Sequence, residues 1–174
     1  PGWQGLDRAT GTGLFWDGAA WTPLRAATTG LEGVGIGTGW DATNRLAVAG
    51  AASLFTHAGG GHRVTVNKAA PSETATLLFQ TGWSGRAEIG LAGSDALSVK
   101  VSEDGTAWTE AVTVAGTGAV GIGVSAPQRS LHLGDVLRLE PGTAPTNPAA
   151  GDLYFDASLG TLRCHDGSTW RDLF

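Results

Sequence analysis

The chain of 174 residues has no methionine, one cysteine, one tyrosine and few charged residues, 16% in all. The single cysteine, Cys164, excludes an intrachain disulfide and a cysteine-ligated zinc site. Lying in an alternating stretch, it reads as a small buried hydrophobe. Lys68 and Lys100 are the only lysines, the arginines are scattered, and the net charge is −5. A nucleic-acid partner, which needs clustered cations to displace counterions, is therefore not expected. No run of about 18 apolar residues occurs, so no membrane insertion is expected. Soluble domains usually carry about 25% charged residues. The shortfall leaves much neutral surface, as expected if copies of the chain bury it against one another. The missing methionine and the opening Pro1-Gly2-Trp3 read as a processed product or an excised piece of a longer chain.

What the chain does have is 28 glycines, seven tryptophans and short strand-like runs. No apolar stripe at helical spacing persists for three turns, and each interior glycine would cost a helix about 1 kcal/mol relative to alanine. Strands are expected at 64–67, 77–79, 89–91, 97–102, 111–114 and 136–139, from alternation or from short apolar runs. The fold class expected is all-β, an antiparallel sandwich or jelly-roll-like domain with β-hairpin modules, assembled as a trimer. Ala58-Gly59-Gly60-Gly61 is flexible by composition. Pro141 to Pro148 holds three prolines and reads as an extended connector. The division expected is a hairpin and shaft-like segment over 1–50, a sandwich-like domain with the second repeat module over 51–140, and a connector with a closing hairpin over 141–174.

The most informative feature is an internal repeat. Asp17-Gly18-Ala19-Ala20-Trp21-Thr22 recurs as Asp104-Gly105-Thr106-Ala107-Trp108-Thr109, and its opening again as Asp166-Gly167-Ser168-Thr169-Trp170. Val34-Gly35-Ile36-Gly37 recurs as Val120-Gly121-Ile122-Gly123, each followed by an apolar pair, Leu46 and Val48 or Leu131 and Leu133. Asp-Gly between apolar runs predicts a hairpin with positive φ at both central residues. The following Trp is then placed to pack on its own hairpin. Val-Gly-Ile-Gly lacks the third glycine and the lysine of a phosphate loop. It reads as a strand whose glycine face admits very close backbone approach, here assigned to chains wrapped about a threefold axis.

Val120-Gly121-Ile122-Gly123-Val124-Ser125-Ala126-Pro127, with Leu131-His132-Leu133, resembles a repeated element of bacteriophage tail-fibre and spike proteins. The first copy departs from it at Trp40-Asp41. Residues 78–93, continued by Lys100-Val101-Ser102 and Asp104-Gly105, resemble the carboxy-terminal region of a family that includes head spikes of gene transfer agents of alphaproteobacteria. The resemblance implies a homotrimeric appendage on the surface of a virion or gene-transfer-agent particle. Its implied partners are itself, other spike, fibre or capsid proteins, and a bacterial surface polysaccharide.

No nucleophile elbow is present and the acids are sparse, so no enzyme, no catalytic residue and no cofactor is expected. His57 and His62 flank the triple glycine, two ligands being too few for a metal site. Sugar binding needs an aromatic face for the ring and planar polar groups for hydroxyls. Trp83 with Gln80, Arg86 and Glu88 supplies one such set. Trp40 with Asp41, Asn44 and Arg45 supplies another. The carbohydrate-binding residues expected are Trp40, Asp41, Arg45, Gln80, Trp83, Arg86 and Glu88. The function expected is glycan binding by a spike segment, against a purely structural shaft or trimerisation segment and a polysaccharide depolymerase fragment.

Overall fold

The structure, a computed structural model, describes residues 3–23 and 30–174. It is all-β, with no helix among the described residues. Two compact units divide the chain at Arg63/Val64, just past the triple glycine.

In the first unit, β1 (Gln4–Asp7), β2 (Thr12–Trp16) and β3 (Trp21–Pro23) form an antiparallel sheet. Trp16 and Trp21 are cross-strand partners, their rings tilted with centroids 5.7 Å apart. Trp21 also lies against Gly5 of β1, two strands away, so it covers the sheet that its own turn creates. Strands β4 (Val34–Ile36) and β5 (Leu46–Val48) form a separate parallel pair.

In the second unit, six strands follow one another across a sheet. They are β6 (Thr74–Thr81), β7 (Ser84–Ala92), β8 (Leu97–Val101), β9 (Thr109–Val114), β10 (Val120–Ile122) and β11 (Leu131–Leu133). All pairs are antiparallel except β10–β11. The remaining strands β12 (Leu153–Asp156), β13 (Thr161–His165) and β14 (Trp170–Asp172) make an antiparallel sheet. Here Tyr154 Oη donates to Asp156 Oδ2 (2.6 Å), and Trp170 meets the Tyr154 and His165 rings edge-on at 4.5 and 5.0 Å. The Arg163 guanidinium joins this group. Its Nε stands 2.7 Å from Asp172 Oδ1, an ion pair by distance whose N–H is not aimed well enough to count as a hydrogen bond. Cys164 is half-buried opposite Leu153, less enclosed than expected.

Directly opposed residues on adjacent strands point to the same side of a sheet. In the six-stranded sheet one row reads Leu77, Ile89, Val99, Val112, Ile122, Leu133. The neighbouring row on the other side reads Thr76, Gly90, Ser98, Thr113, Gly121, His132. Glu88, Lys100 and Glu110 stand beside it as an alternating charge ladder across three strands. Register shifts in β6–β7 and β8–β9 leave Arg86 and Ala111 as bulged residues.

Both copies of the Val-Gly-Ile-Gly module fold alike. Val34 and Ile36 pair in parallel with Leu46 and Val48, as Val120 and Ile122 do with Leu131 and Leu133. A parallel connection normally takes about a dozen residues or more; here residues 37–45 and 123–130 suffice. The glycines are the reason. A β-carbon on Gly35 would stand 2.1 Å from the Thr38 carbonyl oxygen, and one on Gly121 2.0 Å from that of Val124. The close approach is thus made by the chain's own crossover loop, which corrects its assignment to neighbouring chains.

The Asp-Gly turns also differ from expectation. Gly18, Gly105 and Gly167 have positive φ but the aspartates do not. Each aspartate instead accepts two backbone N–H bonds: Asp17 from Ala19 and Ala20, Asp104 from Thr106 and Ala107, Asp166 from Ser168 and Thr169, at 2.8–2.9 Å. The carboxylate does the capping, so only the glycine needs the left-handed region. Segments 64–67 and 136–139 are not strands. They alternate correctly but find no partner to complete a ladder.

Candidate functional site

The β6–β7 hairpin closes through the pair Thr81 and Ser84, leaving Gly82 and Trp83 at its tip. Their φ values are 56° and 67°. Positive φ at both central residues is the signature of the type I′ turn, whose twist suits a hairpin. Glycine takes this conformation freely, whereas a bulky residue there is an outlier costing of order 1 kcal/mol. Among the described non-glycine residues Trp83 alone has positive φ. It is also 93% exposed. An indole held in a strained conformation and covered by nothing is an observation that packing does not account for.

Around it, Gln80 Nε2 donates to the Trp83 carbonyl at 3.3 Å, so Gln80 braces the turn. Ser84 Oγ donates to the Asp104 carbonyl at 3.1 Å, tying the tip to the β8–β9 turn. Trp108, from that turn, lies over Gly85 and beside Leu78, where a β-carbon would come within 2.6 Å of its ring. Trp108 therefore packs on the neighbouring hairpin instead of its own. Arg86 occupies the bulge and donates to the Gly85 carbonyl at 3.1 Å. Glu88 lies further along β7, accepting from Thr76 Oγ1 at 2.7 Å and facing Lys100. Of the first expected set, Gln80 and Trp83 thus meet at the tip, Arg86 stands at the adjoining bulge, and Glu88 belongs to the charge ladder.

The second set lies in the β4–β5 crossover. Asp41 Oδ1 accepts from the Thr43 and Asn44 amides at 2.8 and 2.7 Å, and Oδ2 accepts from Asn44 Nδ2 at 2.9 Å. These bonds hold its carboxyl below the usual range, the Asn44 side-chain bond first among them. Arg45 donates to the Glu32 carbonyl at 2.8 Å and stands 5.6 Å over the Trp40 ring, a cation–π contact. Trp40 rests on Gly33, which has no side chain to obstruct it, and stays 40% exposed. The polar groups of this set are engaged in shaping the crossover. They replace the stiffer Ser-Ala-Pro of the second copy.

Among the described residues no group of three or more His, Cys, Asp or Glu is placed to hold a metal ion. His57 Nδ1 accepts from the Gly59 amide at 3.0 Å, and the His62 ring stacks on Phe55. The features missed by sequence reasoning are the uninterrupted apolar row of the six-stranded sheet and the seat of Trp108 on Gly85. Alternation in strands such as β8 and β9 signalled part of the first, though the apolar run Leu77-Leu78-Phe79 of β6 does not alternate; nothing local signalled the second. No protein-family model matches the chain, and no curated protein matches it.

Proposed function

We propose that this chain is the glycan-binding segment of a spike or fibre on a phage-like particle, acting as a homotrimer on a bacterial surface polysaccharide. The observation that carries the reading is Trp83, 93% exposed and held with φ 67° at a hairpin tip. A free indole face stacks on the C–H face of a pyranose, and the Gln80 amide and the Arg86 guanidinium at the adjoining bulge, each with one N–H on the backbone, keep further N–H groups for sugar hydroxyls. Binding occurs without turnover, and three tips per appendage add avidity beyond the affinity of one. The resemblance of residues 78–93 to spike proteins supports the same reading. The partners follow from it: copies of the chain, other spike or capsid proteins, and the polysaccharide at the particle surface.

The test is an array of capsule and lipopolysaccharide fractions probed with the wild-type chain and with Trp83→Ala. Binding by the first and loss of at least tenfold in the second is expected. Silence of the wild-type chain across all fractions overturns the reading. A fall in polysaccharide viscosity on incubation would replace binding by depolymerisation.

A purely structural segment is the second reading, favoured by the Trp40 set, whose polar groups are spent on the chain's own crossover. It predicts the same array silence together with an unchanged assembly.

A further inference from the structure

The six-stranded sheet is covered on the wrong side for a chain standing alone. Thr113, on the polar row, is 1% exposed and hydrogen-bonded to Glu110, while Leu77, on the apolar row, is 60% exposed. Ile89 and Ile122 of that row are exposed too. Among the described residues only Ala75 and Tyr154 are buried apolar side chains. A chain of this length ordinarily removes about 70% of its unfolded surface from water. The single chain leaves 13252 Å² exposed, well above the roughly 8,000 Å² of a compact monomer of its mass, so part of that burial is not supplied within the chain.

We propose that the apolar face of the β6–β11 sheet is where copies of this chain meet, each sheet turning its Leu77–Leu133 row towards the others and its Glu88–Lys100–Glu110 ladder towards solvent. This rests on the homotrimer reading above and names the surface that makes it. Three observations select a copy of the chain as the occupant. The first is size. Six strands spaced about 4.8 Å apart and up to about 30 Å long give a face of several hundred Å², approaching the roughly 800 Å² per partner of a stable interface. The second is chemistry. The apolar row carries no charge and no hydrogen-bonding side chain, so it offers a different protein nothing to read, whereas an identical face matches it residue type for residue type. The third is repetition. In the first unit the β4–β5 pair also bares one apolar face, Val34, Ile36, Leu46 and Val48, opposite its crossover loop. A self-complementary face in each unit suits association of identical copies, while a foreign partner would need a separate complementary surface for each.

The test is sedimentation of the full chain at tens of micromolar, with Ile89→Lys and Ile122→Lys beside it. The wild-type chain is expected at three times the 17.7 kDa of one chain, and each variant at one chain with the strand signal of circular dichroism retained. A single-chain mass for the wild type, or a variant that keeps the assembled mass, overturns the proposal. If a variant unfolds, hydroxyl-radical footprinting of the wild-type chain decides instead. Leu77 and Leu131, each 60% exposed in the single chain, are then expected to be labelled at least fivefold less than the exposed Leu54. Labelling at the Leu54 rate overturns the proposal. Trp83→Ala leaves the mass unchanged, so a silent glycan array and a failed interface give different results.

Discussion

The carbonyl oxygen of Val124 occupies the space where a β-carbon on Gly121 would stand, 2.0 Å away, and Thr38 stands in the same relation to Gly35 at 2.1 Å. The backbone supplying the oxygen is the crossover that turns the chain back into a parallel strand, so it cannot shift without unpairing β10 from β11 or β4 from β5. Gly121→Ala and Gly35→Ala are each expected to lower stability by about 3 kcal/mol, at the upper end of overpacking costs. Gly116→Ala, with open space around it, is the control. Urea midpoints measure the difference, and equal midpoints for Gly121→Ala and Gly116→Ala would refute the account of the repeat.

Trp83→Gly is expected to stabilise the fold by about 1 kcal/mol, because glycine takes the left-handed region without the steric cost. The same substitution removes the indole and with it glycan binding. A rise in melting temperature coupled to loss of binding would mark strain kept for function. A fall in melting temperature would show that the indole is packing after all.

Lys68 has a nearly covered side chain, and its ammonium donates to the Pro71 and Ser94 carbonyls at 2.8 and 2.7 Å and pairs with Asp95 at 2.9 Å. These bonds clasp the segment before β6 to the β7–β8 turn. Lys68→Met fills similar volume but leaves the carbonyls without a donor, for an expected loss of about 2 kcal/mol. Hydrogen exchange at residues 68–73 should accelerate first, and unchanged exchange there would count against the clasp.

Backbone amides hold the Asp17, Asp104 and Asp166 carboxyls below the ordinary aspartate range, with the amides of Ala20, Thr106 and Thr169 the leading contributors. A depressed folded value means that the unfolded chain takes up protons first. The turns therefore contribute fully above about pH 4, the ordinary aspartate value. Their contribution is lost as pH falls below it, through the folded values. Asp104→Asn with Asp166→Asn keeps an oxygen for the amides but cannot titrate. Its strand signal, followed by circular dichroism from pH 6 to 2, is expected to fall less steeply than that of the wild type. Equal slopes would place the acid sensitivity elsewhere.

The class of fold, the places of the turns (though not their conformation) and the doubled module were legible in the chain, because period-two alternation, Asp-Gly and Val-Gly-Ile-Gly are local signals. Residues 97–101 alternate and form a strand, as expected. The candidate site was legible only in part. Trp83 was visible as an aromatic among polar neighbours, but its φ follows from the two-residue closure between Thr81 and Ser84, which depends on how β6 and β7 register. Trp40 looked equally free, and only the approach of Gly33 and Arg45 engages it.

Residues 64–67 alternate as well as 97–101 do, yet only the latter pair with neighbours, since a strand exists by virtue of hydrogen bonds to another segment. By itself the sequence determined that alternating strands such as β8 have two unlike faces. Tertiary structure alone decided that Leu77, Ile89, Val99, Val112, Ile122 and Leu133 fall into one row, and that Leu77, Ile89 and Ile122 of this row stay exposed while the others are half-buried. The physical reason is that alternation is a property of neighbours along the chain, whereas burial depends on what a non-local register brings opposite.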